Sequence, residues 1–118
     1  MTVQGIDIAL TIINDEDYIS LTDIIKAKDG EFFISDWLRN RNTLEYLAAW
    51  ESMSNPDFNY GEFAIIKSKA GLNNFKISIK EWHEKTNAIG IVARAGRYGG
   101  TYAHKDIAFN FCMWISPV

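Results

Sequence analysis

The chain has 118 residues, 47% of them apolar and 14% aromatic, with 12 Lys and Arg against 15 Asp and Glu for a formal charge of -3. That length suits one domain with a sizeable core, and the composition excludes general disorder. No stretch of about 18 uncharged apolar residues marks a membrane span. The single cysteine, Cys112, excludes an internal disulfide, and no leader pattern opens the chain, so a cytoplasmic protein is expected.

From the N-terminus, Ile6, Ile8, Leu10 and Ile12 alternate with other residues, the period of a half-buried strand. Asn14-Asp15-Glu16-Asp17 reads as a polar turn, and Tyr18-Ile19 resumes a second strand to complete a hairpin. Ser20 can cap a short helix whose first turn holds Asp23, with Leu21, Ile24 and Ile25 inward and Asp29-Gly30 at its end. Ser35 is the expected cap of a second short helix reaching Arg39. Asn42, with Glu45 at capping-box distance, restarts the chain as a longer helix that Asn55-Pro56 stops. Along it, Leu44, Leu47, Ala48 and Glu51 follow at helical spacing.

Ala64-Ile65-Ile66 and Phe75-Lys76-Ile77 read as strands of a second hairpin, turned by residues 70–74. Ser78 and Glu81 form another capping box, opening a helix to about Asn87 with Ile79 and Trp82 inward. Residues 89–94 and 101–103 look extended, joined by the glycine-rich, basic tip Ala95-Gly96-Arg97-Tyr98-Gly99-Gly100. From His104 to Ser116 the pattern is helical and apolar almost all round, so this last helix wants cover. Central burial, a partner copy in a homodimer, or a C-terminal domain following residue 118 would each provide it, the last making this chain a truncated piece.

Charge is uneven along the chain. Residues 1–66 carry four basic and twelve acidic side chains, a balance of -8, while residues 67–118 carry eight and three, a balance of +5. A face meant for an anion would produce this pattern, and so would lysines coating a solvated surface.

Three segments, DWLRNRNTLEYLAAWE (36–51), NPDFNYGEF with the stretch to residue 77, and AIGIVARAGRYGGTYAHKDIAFNFCMWIS (88–116), resemble the KilA-N domain. This is a DNA-binding module of bacteriophage, bacterial and large DNA virus proteins. The resemblance covers roughly residues 18–116, and GRYGGTYAHKDIA is its most specific string. The family is similar to the fungal APSES transcription-factor domain. That likeness implies a small α+β, winged-helix-like domain with β-hairpins and about four to five short helices, in which residues 55–87 would insert a hairpin plus helix. Double-stranded DNA is the implied partner and no cofactor is implied.

DNA binding needs cations on phosphates and planar donors on base edges. Arg39 and Arg41 flank a helix joint, where Arg41, Asn40 and Asn42 could make bidentate base contacts. The competing reading makes Asn40 and Asn42 caps and pairs Arg39 with Asp36. At the glycine-rich tip, Arg94 and Arg97 supply charge, and Tyr98 is either a phosphate contact or a core ring. Tyr102 reads as core. Thr101, His104 and Lys105 stand where a helix begins, a favourable place for a phosphate. Lys67, Lys69 and Asn73 on the second expected hairpin are weaker candidates, together with Asn74.

An enzyme finds little support. The tip lacks the Gly-Lys-Ser/Thr ending of a phosphate loop, and His83, His104 and Cys112 are too scattered for zinc. Cys112 reads as an inert core thiol. The expected function is the DNA-binding domain of a phage-type or bacterial regulator. A protein-interaction module that keeps the fold without DNA affinity is the alternative.

Overall fold

A computed structural model describes residues 2–3, 5–28, 33–96 and 99–115. In chain order the elements are β1 (Thr2–Val3), β2 (Ile6–Asp7), β3 (Leu10–Ile13), β4 (Glu16–Ser20), α1 (Leu21–Ala27), α2 (Ile34–Leu38), α3 (Arg41–Ser54), α4 (Tyr60–Lys69), α5 (Ile79–Thr86), β5 (Ile91–Arg94), β6 (Gly100–His104) and α6 (Lys105–Ile115). The fold class is α+β, as expected. The chain divides into two compact units: Met1–Phe33 with Ile91–Val118, and Ile34–Gly90.

The first unit holds a four-stranded antiparallel sheet of order β3-β4-β6-β5, with β1 and β2 paired separately. The first hairpin is tighter than the acidic run suggested. Only Asn14 and Asp15 form the turn, both with positive φ (51° and 64°), and Ile13 pairs directly with Glu16. Two such residues twist the connection in the sense that flanking strands need, and short Asn and Asp side chains tolerate that conformation best. Ser20 ends β4 and caps α1, its hydroxyl accepting the Asp23 amide at 3.1 Å. Helices α1 and α6 pack on the sheet and on each other. They bury Leu21 and Ile24 from α1, and Ile107, Ala108, Phe111 and Ile115 from α6. Helix α1 ends at Ala27 with Lys28 as its C-cap; Asp29-Gly30, expected to stop it, lie outside the described residues.

The second unit is helical. Leu44, Leu47 and Ala48 of α3 are buried as their spacing requires, and α3 packs on α4, which packs on α5. Trp82 of α5 is fully buried against Phe58 and Phe63, with ring centroids 5.9 and 6.3 Å away. Ser78 caps α5 as predicted, accepting the Glu81 amide at 3.0 Å. Asn87 closes that helix in the left-handed conformation.

Three expectations are corrected here. Residues 64–66 are not a strand: they lie inside α4, and residues 75–77 pair with nothing in a sheet. The helix is dictated by Asn59, whose side chain accepts the Glu62 amide at 3.1 Å and satisfies an otherwise orphaned donor. Six helices result among the described residues, where about four to five were expected. Ser35 lies within α2 and does not cap it. Asn42 does not cap α3 either: Asn40 occupies that position, and its side chain turns back to donate to the carbonyls of Asp36 (3.1 Å) and Trp37 (3.3 Å). One residue thus closes α2 and opens α3.

Candidate nucleic-acid interface

The first unit presents the β5–β6 hairpin and the start of α6. Arg94 is exposed, its guanidinium 5.7 Å from the centre of the Tyr102 ring. This cation–π contact holds the charge in place without neutralising it. Tyr102 itself is buried, as its core assignment required. The turn into β6 depends on glycine at Gly100, where φ is +144° and a Cβ would lie 2.9 Å from Thr22 Oγ1. That hydroxyl also accepts the Thr101 amide at 3.0 Å. Arg97 and Tyr98 lie outside the described residues.

Lys105 is exposed at the first position of α6. His104, its neighbour, differs from the expectation of a surface contact. It is 4% exposed, because β6 runs through the sheet and its last side chain points inward. Nδ1 accepts the Asp106 amide at 3.2 Å, which leaves Nε2 to donate to Glu16 Oε2 at 3.2 Å. The ring stands edge-on to Tyr18. His104 therefore ties the β6–α6 junction to β4, and Lys105 carries the exposed charge there.

The second unit gathers residues that the sequence placed far apart. Arg39, at the end of α2, donates to the Asn73 carbonyl at 3.2 Å, and Arg41 donates to the Lys67 carbonyl at 3.4 Å. The second bond reaches a last-turn carbonyl of α4 that also accepts the Ala70 amide at 3.2 Å, a place where the helix dipole favours a cation. Each contact occupies one of the five N–H donors of its guanidinium. Lys67 lies 3.1 Å from Glu45, and Lys69 and Asn42 are exposed. A groove of about 310 Å³ lies between the end of α2 and the loop after α4, lined by Asp36, Arg39, Asn40, Gly71, Leu72 and Asn73. Four of the expected candidates, Arg39, Arg41, Lys67 and Asn73, thus stand together. Reading 64–77 as a hairpin hid this, since only a helix brings Lys67 beside the α2–α3 joint. Glu45, read as half of a capping box, is instead the partner of Lys67.

Cys112 is half-buried, and burial pushes its thiol above the usual value of 9.0, with Lys28 partly opposing. Among the described residues no group of His, Cys, Asp and Glu could hold a metal ion. None of their helices is long and apolar enough to cross a membrane.

The KilA-N domain family profile matches residues 3–118, essentially the whole chain. This chain is a KilA-N domain. KilA-N domains are a DNA-binding family and not an enzymatic one. No curated protein and no solved structure matches the chain significantly. The match spans both compact units, so each candidate surface lies within the KilA-N region.

Proposed function

We propose that the chain is a single KilA-N domain that binds double-stranded DNA within a phage-type or bacterial transcription regulator in the cytoplasm. The family match over residues 3–118 carries this reading. The β5–β6 hairpin would act as a wing, with Arg94, Arg97, Thr101 and Lys105 on phosphates and Tyr98 beside them. In the second unit, Arg39, Arg41, Asn42, Lys67, Lys69 and Asn73 would form a separate contact surface, with Arg41 and Asn42 the base readers. Guanidinium and carboxamide groups suit guanine and adenine edges respectively. The exposure of Arg94, Lys105, Arg41 and Asn42 supports these roles. Titrating duplex binding with salt tests the reading: affinity should fall steeply as salt rises, because each phosphate contact releases a counterion. Affinity indifferent to salt would overturn it.

One observation favours a second reading, a self-associating interaction module. Phe109 and Met113 project from the outer face of α6, 67% and 60% exposed, one turn apart. Gel filtration run beside the DNA titration separates the two. Tight self-association with no duplex binding would favour the module.

A further inference from the structure

A cleft of about 340 Å³ lies between α4, the loop after it and α5. Its floor is apolar: Ile66, Phe75 and Ile77 are all buried. Its rim is apolar too, yet open, with Ile65 49% and Leu72 58% exposed. Lys69, Lys76 and Lys85 surround this strip. The single carboxylate there, Glu81, is already engaged by Lys85 at 3.2 Å. Large aliphatic side chains standing open beside a buried apolar floor mark an interaction site more than a solvated surface does. The charge around them selects the occupant.

A nucleic-acid backbone fits poorly, because phosphates and sugars would leave Ile65, Leu72 and the floor uncovered. Lysines, moreover, offer point charges without the planar fork that reads base edges. An anion with apolar side chains matches both features. We propose that the cleft docks an acidic amphipathic segment of a partner protein. Its aliphatic or aromatic side chains would lie on Ile66, Phe75 and Ile77, between Ile65 and Leu72. Its carboxylates would meet Lys76 and compete with Glu81 for Lys85. The mode is that of an amphipathic segment in a groove, with the rim lysines contributing on-rate and register more than affinity.

The test uses the whole chain and methyl NMR, with a synthetic peptide of about 14 residues carrying Leu and Phe at helical spacing and Asp or Glu elsewhere. Addition should shift the methyl signals of Ile65, Ile66, Leu72 and Ile77, saturating at roughly 10–300 μM as expected of a small interface. Leu72→Glu, and separately Ile65→Glu, should weaken binding about tenfold or more. Both side chains are exposed, so unchanged thermal midpoints are expected. Lys76→Glu offers a further variant that leaves the apolar strip intact, and should weaken binding less. The proposal is overturned if no shifts appear up to about 1 mM, or if they fall outside the cleft. Equal binding of a peptide with Lys in place of every acid overturns it too. So does duplex DNA that produces the same methyl shifts and is displaced by the peptide, which would make the cleft part of the DNA surface. Concentration-dependent self-association abolished by Leu72→Glu would make a second copy the occupant, and likewise overturn it.

Discussion

Glu51 shows how one side chain can organise a unit without touching a ligand. It is 1% exposed, and its carboxylate accepts from the Ile89 amide (3.0 and 3.1 Å), the Gly90 amide (2.8 Å) and the Asn55 side chain (2.9 Å). Only an acceptor suits that set of donors, so the end of α3 is pinned to the segment after α5. Glu51→Ala should cost about 2–4 kcal/mol in urea unfolding, because buried donors are left unpaired. Glu51→Gln should also destabilise, since its amide would point N–H groups at N–H groups. The helical spacing of Leu44, Leu47 and Ala48 already put Glu51 on the inner face; its partners Ile89 and Gly90 were illegible because they lie 38 and 39 positions away. Gly100→Ala should cost about 1–3 kcal/mol through its left-handed φ and the approach to Thr22. For DNA, Arg94→Ala and Lys105→Ala should weaken all duplexes alike and each lower the salt slope by about 1. Arg41→Ala should instead relax sequence preference.

Among the elements, α1 and α5 were legible from their serine caps. Ser20 with Asp23, and Ser78 with Glu81, open α1 and α5 where their spacing said. The β5–β6 hairpin was legible from its glycines. Helix α4 was missed because the adjacent β-branched pair Ile65-Ile66 resembles a strand, and its apolar residues fall on no single face: Ile66 is buried while Ile65 is exposed. The signal that marks it is Asn59 three residues before Glu62, the same spacing recognised at Ser78. Asn59→Ala should therefore cost about 1 kcal/mol, measurable as a lowered thermal midpoint. A strand at 64–66 would have no use for that side chain. The same error separated Lys67 and Asn73 from Arg41 and Arg39, so half of the candidate surface was readable as residues but not as a place.

At the level of the whole chain, the charge split at residue 66 does not map onto the architecture. The unit formed by residues 1–33 and 91–118 carries five basic and eight acidic residues, and the unit of residues 34–90 carries seven of each. Any attraction for DNA must come from local cations, Arg94 and Lys105 towards opposite ends of β6 in one unit and the α2–α3 joint in the other, so binding should be short-ranged and strongly screened by salt. Alkaline pH adds a separate effect through Cys112. Because burial raises its thiol above 9.0, the protein keeps full stability below that pH and loses some as the unfolded chain ionises first. Cys112→Ser should remove this part of the stability loss above pH 9.0, followed by urea unfolding. The sheet has a further consequence, for assembly of the chain itself. Tyr18 in β4 and its register partner His104 in β6 are separated by the entire helical unit. Bringing such strands together first sacrifices about 4 kcal/mol of loop entropy, so the sheet's central pairing is slow unless the intervening helices have already contracted the loop. During synthesis the first hairpin must wait for β6 to emerge before this pairing can form, while residues 34–90 are complete beforehand. Substitutions that loosen α3 or α5 should thus slow sheet formation even where they touch no strand.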